Sequence, residues 1–191
     1  MRVIQPKMIS YLEWKLENNG LYLDAVKRKD ARLISILAMQ SCVGKREETG
    51  NNDGLFIELV QQTVDGIDSR EAYCMAGVQT GVAFAEYKTG ILSKLPPGEH
   101  CMTVWRAGKL IRVVGQPQAG DVIIWNHAGG DSGHTGMAYE VLPSLFKAVE
   151  FNTTSGKVGS SIVREGGGIY NTERSYKQIG DMVPQGFLRP F

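Results

Sequence analysis

The sequence lacks an excess of charge of either sign and also lacks any long run of apolar residues. Its 21 Lys and Arg are balanced by 20 Asp and Glu, which leaves a net charge of +1 over 191 residues. Without a basic stretch there is no electrostatic footprint for a nucleic acid. No window approaches the roughly 18 uninterrupted apolar residues of a membrane-spanning helix, and the first residues lack the apolar core of a signal peptide. We therefore expect neither a nucleic-acid partner nor a membrane span.

Cysteine is also scarce, and the three that occur, Cys42, Cys74 and Cys101, are far apart in the sequence. An odd number of widely spaced cysteines does not make a disulfide scaffold, and no Cys-x-x-Cys pair is present to hold structural zinc. At least one thiol is therefore free unless it pairs between chains, which favours a reducing compartment.

The order of the predicted elements indicates the fold class. Hydrophobic residues make up 42% of the chain, enough to bury a core of ordinary size. Helical spacing dominates the first half, and short β-rich segments follow the Pro-Pro-Gly at 96–98. Because helices precede strands and do not alternate with them, we expect an α+β fold with N-terminal helices packed on an antiparallel sheet. The predicted helices cover 6–18, 22–42, 54–64 and 70–87, and the predicted strands cover 121–125, 135–141, 146–152, 160–164 and 186–189.

Cys74 lies in the first turns of the helix predicted over 70–87, ahead of a series of small and apolar residues. A thiol becomes a good nucleophile as its thiolate, and a helix N-terminus and a neighbouring imidazolium both favour that form. Asp68 or Ser69 is in position to cap this helix. A Cys among small apolar residues is more often a buried structural thiol, so the assignment depends on its partners.

His134 supplies the expected partner, because it lies between Gly133 and Gly136 at the edge of the strand predicted over 135–141. Glu150 and Asn152 follow on the next predicted strand, where alternate residues face the same way. Either of these two side chains can therefore orient the imidazole through its second ring nitrogen. The order Cys, His and polar residue predicts a nucleophilic cysteine hydrolase in which His134 acts as base and acid.

Acyl transfer also needs hydrogen-bond donors for the oxyanion that develops on the substrate. The backbone N–H of Cys74 is the first candidate, and the hydroxyl of Tyr73 is the second. His127, in the loop after the strand predicted over 121–125, is expected to line the same cleft.

Other residues are less suited to these roles. Cys42 ends a predicted helix and enters a charged loop with no His near it in the sequence. Cys101 follows His100, but we expect these neighbours to lie on a strand and to point to opposite faces.

A metal site formed by His127, Asp131 and His134 is the remaining alternative. It lacks the helical His-Glu motif of zinc hydrolases. We therefore do not expect a zinc hydrolase site at these residues.

In these motifs the chain resembles CHAP-type (cysteine, histidine-dependent amidohydrolase/peptidase) cell-wall hydrolases, relatives of NlpC-type peptidases within the papain-like group. The nucleophile and His motifs are together fairly specific, and the resemblance covers roughly 33–191. Tyr73 stands where Trp is expected in the nearest subgroup, a departure that affects the shape of the cleft. The matching segments are Glu-Thr-Gly-Asn-Asn-Asp-Gly at 48–54, Tyr-Cys-Met-Ala at 73–76, Pro-Gln-Ala-Gly-Asp-Val at 117–122, Gly-His-Thr-Gly-Met-Ala at 133–138, Glu-Phe-Asn-Thr at 150–153, Arg-Glu-Gly-Gly-Gly-Ile-Tyr at 164–170 and Gly-Phe-Leu-Arg-Pro at 186–190.

The resemblance implies a papain-like catalytic domain over 33–191, preceded by a helical arm over 1–32 of unknown role. It implies cleavage of an amide bond in peptidoglycan, either between muramic acid and L-alanine or within or between the stem peptides, with Cys74 as nucleophile. It implies no metal and no organic cofactor. The protein would then be cytoplasmic until released or delivered to the cell wall or periplasm, as a phage lysin or an effector with an inhibitor or immunity protein as a further partner. The alternatives are an inactive CHAP-like binding or structural module and a cysteine peptidase or transglutaminase-like enzyme that acts on proteins.

Overall fold

A computed structural model describes residues 2–128, 130–154 and 167–191. Within these ranges the chain forms six α-helices and a five-stranded antiparallel sheet. The α+β class and the antiparallel sheet predicted from the sequence are confirmed. The helices are α1 (Pro6–Leu16), α2 (Gly20–Arg28), α3 (Ala31–Gln40), α4 (Leu55–Gln61), α5 (Cys74–Thr89) and α6 (Cys101–Ala107), and the strands are β1 (Val122–His127), β2 (Gly133–Val141), β3 (Leu145–Thr153), β4 (Gly168–Ser175) and β5 (Met182–Leu188).

The strands occur in the spatial order β4-β3-β2-β1-β5, with every neighbouring pair antiparallel. In this register Trp125 of β1 lies opposite His134 of β2, and Gly136 of β2 lies opposite Glu150 of β3. The sheet therefore brings the predicted base and one of its predicted partners onto adjacent strands.

Helix α5 is the central helix, and it is buried on nearly every side. It packs against α3 and against β2 and β3 of the sheet. The glycines of α5 let these elements pack closely against it. A Cβ on Gly77 would lie 2.2 Å from Cγ of Phe151, and a Cβ on Gly81 would lie 2.6 Å from Cγ of Met39. The small residues of α5 are thus explained by close packing, which places its first residue, Cys74, beside the sheet.

Two predicted helix boundaries were wrong. The helix predicted over 22–42 is divided, because Lys29 adopts a left-handed conformation (φ 55°) and Asp30 caps α3 by accepting a hydrogen bond from the N–H of Leu33. Helix α5 begins at Cys74 without a side-chain cap. Asp68 and Ser69, predicted as caps, instead accept hydrogen bonds from backbone N–H groups two residues ahead, within the preceding loop.

Two elements were not predicted, α6 and β4, and the strand predicted over 160–164 lies outside the described residues. Helix α6 has seven residues, too few for its hydrophobic periodicity to be recognised. Both omissions affect the site, because each element contributes a side chain to it.

The N-terminal segment packs on the rest of the protein. Met8, Leu12 and Leu16 of α1 are buried in the same hydrophobic cluster as Phe151 of β3. Arg2 forms an ion pair with Glu86 of α5, with 2.8 Å between Nη1 and Oε1. The arm predicted over 1–32 therefore shares its core with the region predicted as catalytic over 33–191.

Asp121 joins three distant parts of the chain at the start of the sheet. Its carboxylate is fully buried and accepts hydrogen bonds from Nε and Nη2 of Arg189 at 2.9 and 2.8 Å. It also accepts from Arg32 Nη2 at 3.0 Å and from the N–H of Gln118 at 2.8 Å. Gly120 supplies the positive φ of 90° that the turn requires. The Gly-Asp-Val motif thus has a structural role, because Asp121 holds these parts of the chain together.

The substitution Gly77→Ala tests the packing of α5. Alanine favours helix by about 1 kcal/mol over glycine, but the added Cβ would overlap the Phe151 ring, so we expect net destabilisation of about 1–3 kcal/mol. Urea unfolding measures this change. Gly20→Ala is the matched control, because a Cβ there meets nothing within 4 Å. Equal stability of Gly77→Ala and the parent would contradict the packing argument.

Candidate active site

Cys74 is the first residue of α5, so its sulfur lies at the N-terminal end of a helix of 16 residues. The first N–H groups of a helix have no partner within the helix and carry partial positive charge. The N–H of Met75 hydrogen-bonds to the Cys74 sulfur. The thiol is 4% exposed. This local environment favours a thiolate.

His134 lies at the second position of β2 and is 2% exposed. Its Nε2 is 3.0 Å from Oε2 of Glu150, and its ring stacks on Trp125 with 5.8 Å between centroids. Its ring also lies close enough to the Cys74 thiol for each group to affect the ionisation of the other. Because Glu150 engages Nε2, the nitrogen left for the sulfur is Nδ1. The structure thus brings Cys74, His134 and Glu150 together, with His134 hydrogen-bonded to Glu150 and electrostatically coupled to Cys74.

The two glycines of the Gly-His-x-Gly motif are required by crowding at the site. A Cβ on Gly133 would lie 2.3 Å from the carbonyl oxygen of Trp125, and a Cβ on Gly136 would lie 2.7 Å from Cγ of Glu150. Any larger residue at these positions would push apart β1, β2 and β3. The glycines therefore allow His134 and Glu150 to meet.

Glu150 is fully buried, and both of its oxygens are occupied. Arg174 of β4 donates to both, from Nε to Oε1 and from Nη2 to Oε2, at 2.8 Å each. Thr172 donates its hydroxyl to Oε1 at 2.6 Å. Burial would raise the pKa of Glu150, but the hydrogen bonds from Arg174 and His134 outweigh it and lower the pKa to about 2. Glu150 is thus held ionised beside the imidazole.

Asn152, the second predicted partner of His134, is also fully buried on β3. Its backbone is left-handed, with φ 50°, and the register between β3 and β4 shifts between Glu150 and Thr153. Side chains two residues apart on a regular strand face the same way, which is why Asn152 was predicted together with Glu150. That alternation is interrupted at this point of β3.

The charges of Cys74 and His134 stabilise one another. The hydrogen bond with Cys101 and the contact with His134 lower the pKa of the Cys74 thiol well below its usual value, against the effect of burial. Burial disfavours a charged imidazole, but hydrogen bonds with Cys74 and Glu150 outweigh it and raise the pKa of His134 to about 9. These shifts favour a thiolate at Cys74 and an imidazolium at His134.

Cys101 lies beside Cys74, contrary to the sequence-based expectation. It was expected on a strand facing away from His100; instead it begins α6, where strand alternation does not apply. The Cys74 and Cys101 sulfurs are 3.6 Å apart, and both are buried. Hydrogen bonding to Cys74, together with burial, raises the pKa of Cys101 well above its usual value. The raised pKa favours the protonated thiol at Cys101, which makes Cys101 the favoured donor of this contact.

A cleft of about 350 Å³ opens over the two thiols. Gln61 joins two parts of its wall, because its Nε2 donates to the carbonyls of Asn52 at 3.2 Å and Glu71 at 2.8 Å. Burial, and then the charges of Asp65 and Glu71, raise the pKa of Glu99 to about 7. Besides Cys74 and Cys101, the polar residues in the lining are Asn52, Glu71, Glu99, His100 and Ser132.

Tyr73 and His127, both predicted at the cleft, do not line it, and His134 lies behind the lining as well. Tyr73 is fully buried and absent from the lining of the cleft, and burial together with the Glu47 carboxylate raises the pKa of its hydroxyl. His127 is also absent from the lining, because its Nδ1 is held 2.9 Å from Oδ2 of Asp181 on the far side of β1 from β2. The predicted oxyanion donor that remains in the cleft is the N–H of Cys74.

The metal alternative is not supported by the positions of its residues. His127 pairs with Asp181, Asp131 pairs with Arg106, and His134 pairs with Glu150. Within 2–128, 130–154 and 167–191, no three His, Cys, Asp or Glu side chains form a group that could hold a metal ion.

Thr172, Arg174 and Cys101 were not identified from the sequence. Thr172 and Arg174 are two residues apart on β4 and therefore share a face, a signal that prediction of this strand would have revealed. Cys101 could have been found only by recognising α6.

No protein-family model matches the chain, and no curated protein matches it. In the part of the chain that the structure describes, no helix combines the length and apolar character needed to cross a membrane.

The substitution Glu150→Gln tests the role of this carboxylate at the site. Without its charge the pKa of His134 should fall and the Cys74 thiolate should lose its partner. We expect the parent to react with iodoacetamide at Cys74 from well below neutral pH, and the variant to need a higher pH. Alkylation rates at Cys74, followed by peptide mass spectrometry, measure this. Glu140→Gln, which removes a carboxylate paired with Lys147 at the surface of the same sheet, is the matched control.

Glu150→Gln leaves the charge of Arg174 buried without its carboxylate, which typically costs about 3–5 kcal/mol. The double variant Glu150→Gln/Arg174→Met removes both charges and should regain much of that stability. Its alkylation profile should still resemble that of Glu150→Gln. An unshifted profile in the folded double variant would refute a role for Glu150 in supporting the imidazolium.

Proposed function

We propose that the protein is a cysteine hydrolase of papain-like arrangement that cleaves an amide bond in bacterial peptidoglycan. The observation that supports this most directly is the buried chain from Cys74 through His134 to Glu150, at the base of an open cleft. The substrate class comes from the resemblance to CHAP-type hydrolases, since the motifs at 73–76, 133–138 and 150–153 contain Cys74, His134 and Glu150. Access to the wall would follow release from the cytoplasm or delivery to the periplasm.

The proposed reaction has two halves. The Cys74 thiolate attacks the amide carbonyl, and the backbone N–H of Cys74 at the start of α5 stabilises the oxyanion. His134 gives its proton to the leaving amine, which leaves a thioester on Cys74. His134, now neutral, takes a proton from water, whose attack releases the carboxylic acid and restores the thiolate.

The substitution Cys74→Ala should abolish digestion of purified sacculi, because it removes the nucleophile. Release of soluble fragments measures the rate, and mass spectrometry of the fragments distinguishes a muramoyl-L-alanine amidase from a stem-peptide endopeptidase. Cys42→Ala is the control, because Cys42 is buried at the end of α3 and donates to the carbonyl of Ala38. Equal digestion by Cys74→Ala and the parent would exclude the mechanism. An inactive parent that binds sacculi would instead support a binding module.

The acidic wall of the cleft predicts a preference for substrates that carry a free amino group. Glu99 ionises at about pH 7, so its attraction for an ammonium group should increase as the pH rises through that value. We expect Glu99→Gln to raise KM for an amine-bearing stem peptide by about two- to fivefold, with little change in kcat. The same peptide with its amine acetylated is the control. Equal KM values for both peptides in the parent would contradict this preference.

A further inference from the structure

The active-site cleft contains a second sulfur that the proposed hydrolysis does not use. Cys101 and Cys74 both line the cleft, and their sulfurs are 3.6 Å apart. A disulfide has about 2.05 Å between its sulfurs, so the pair needs to close by roughly 1.5 Å. Rotation of cysteine side chains can supply a movement of this size. The third cysteine, Cys42, is buried at the end of α3.

We propose that Cys74 and Cys101 form an oxidation site in which peroxide converts the nucleophile reversibly into a disulfide. The oxidation itself needs only the geometry of the two thiols. Its consequence, reversible loss of amide hydrolysis, rests on the function proposed above.

The chemistry proceeds in two steps. The Cys74 thiolate attacks one oxygen of hydrogen peroxide: an S–O bond forms, the O–O bond breaks, and the departing hydroxide takes up a proton to become water. Cys74 is thereby oxidised to a sulfenic acid, and the peroxide is reduced. The Cys101 sulfur then attacks the Cys74 sulfur, an S–S bond forms, and the S–O bond breaks. The hydroxyl group leaves with the Cys101 proton as a second water.

The two thiols are suited to different steps. The thiolate, the form that reacts with peroxide, is favoured at Cys74, because this residue begins α5 and its sulfur lies 3.6 Å from the Cys101 thiol and near His134. Cys101 remains protonated while Cys74 carries its charge. Oxidation of Cys74 to a neutral sulfenic acid removes that charge, so Cys101 ionises more readily at the stage where its attack is needed. A dithiol restores both thiols by exchange.

The test uses the full chain, reduced and then treated with hydrogen peroxide. Peptide mapping without reductant should show one intramolecular link between Cys74 and Cys101, with the intact mass lower by about 2 Da. Dithiothreitol should reverse both changes. A protein in which Cys74 reaches the sulfinic acid while Cys101 remains a free thiol would overturn the proposal. So would a link that involves Cys42.

Two variants test the roles of the individual cysteines. Cys42→Ala should form the same link as the parent, because that thiol takes no part. Cys101→Ser should form no link, and its Cys74 should pass to the sulfinic acid, which dithiothreitol does not reverse. Mapping of the parent decides the question even if Cys101→Ser fails to fold. Recovery of Cys74 as a free thiol in a folded Cys101→Ser protein would count against Cys101 as the protecting residue.

The two proposals can fail separately. Sacculus digestion by the reduced protein, lost with the link and restored by dithiothreitol, supports both. A link in a protein that never digests sacculi supports the oxidation site and refutes the hydrolase. Digestion that persists in the fully linked protein would refute the proposed control of activity, because the linked Cys74 is no longer a nucleophile.

Discussion

The ion pair between Glu150 and Arg174 is the interaction on which the site depends. Both side chains are almost completely buried, and two parallel hydrogen bonds hold the carboxylate in one orientation. Removing two charges from water is costly, and a buried pair contributes little net stability compared with apolar residues of the same volume. The role of the Glu150–Arg174 pair is therefore better explained by its effect on His134 than by its contribution to stability. It fixes an ionised oxygen 3.0 Å from Nε2, so that the imidazole is oriented and its charged form is favoured.

The packing of the glycines around the site allows the same contact between Glu150 and His134. The glycines at 133 and 136 let β2 approach its neighbours, and Gly77 lets α5 approach Phe151. Phe151 lies between Glu150 and Asn152 on β3, so its ring positions the helix relative to the strand that bears the carboxylate. As a result, the N-terminal end of α5 meets the sheet where His134 lies. The thiol is thus placed by helix packing and the imidazole by strand register.

The sequence was most informative where function restricts local residue choice. Small residues after Cys74 predicted a closely packed helix there, and the glycines around His134 predicted its place at the edge of a strand. The site residues that the sequence did not reveal depend on contacts between parts of the chain that are far apart in the sequence. Arg174 reaches Glu150 from a strand that was not predicted, and Cys101 reaches Cys74 from a helix of seven residues. Choosing Glu150 over Asn152 for the contact with His134 also required the structure, because both lie on one strand and only the local register distinguishes them.

The charges of the site alternate along one chain: a thiolate at Cys74, an imidazolium at His134, a carboxylate at Glu150 and a guanidinium at Arg174. Each charge is stabilised by its neighbour, and the two negative and two positive charges sum to zero. In the proposed mechanism, acylation converts the thiolate into a neutral thioester, and His134 then loses one of the two partners that raise its pKa. The imidazole that acted as an acid is thereby better able to act as a base toward water. One arrangement of charges can thus serve both halves of the proposed reaction.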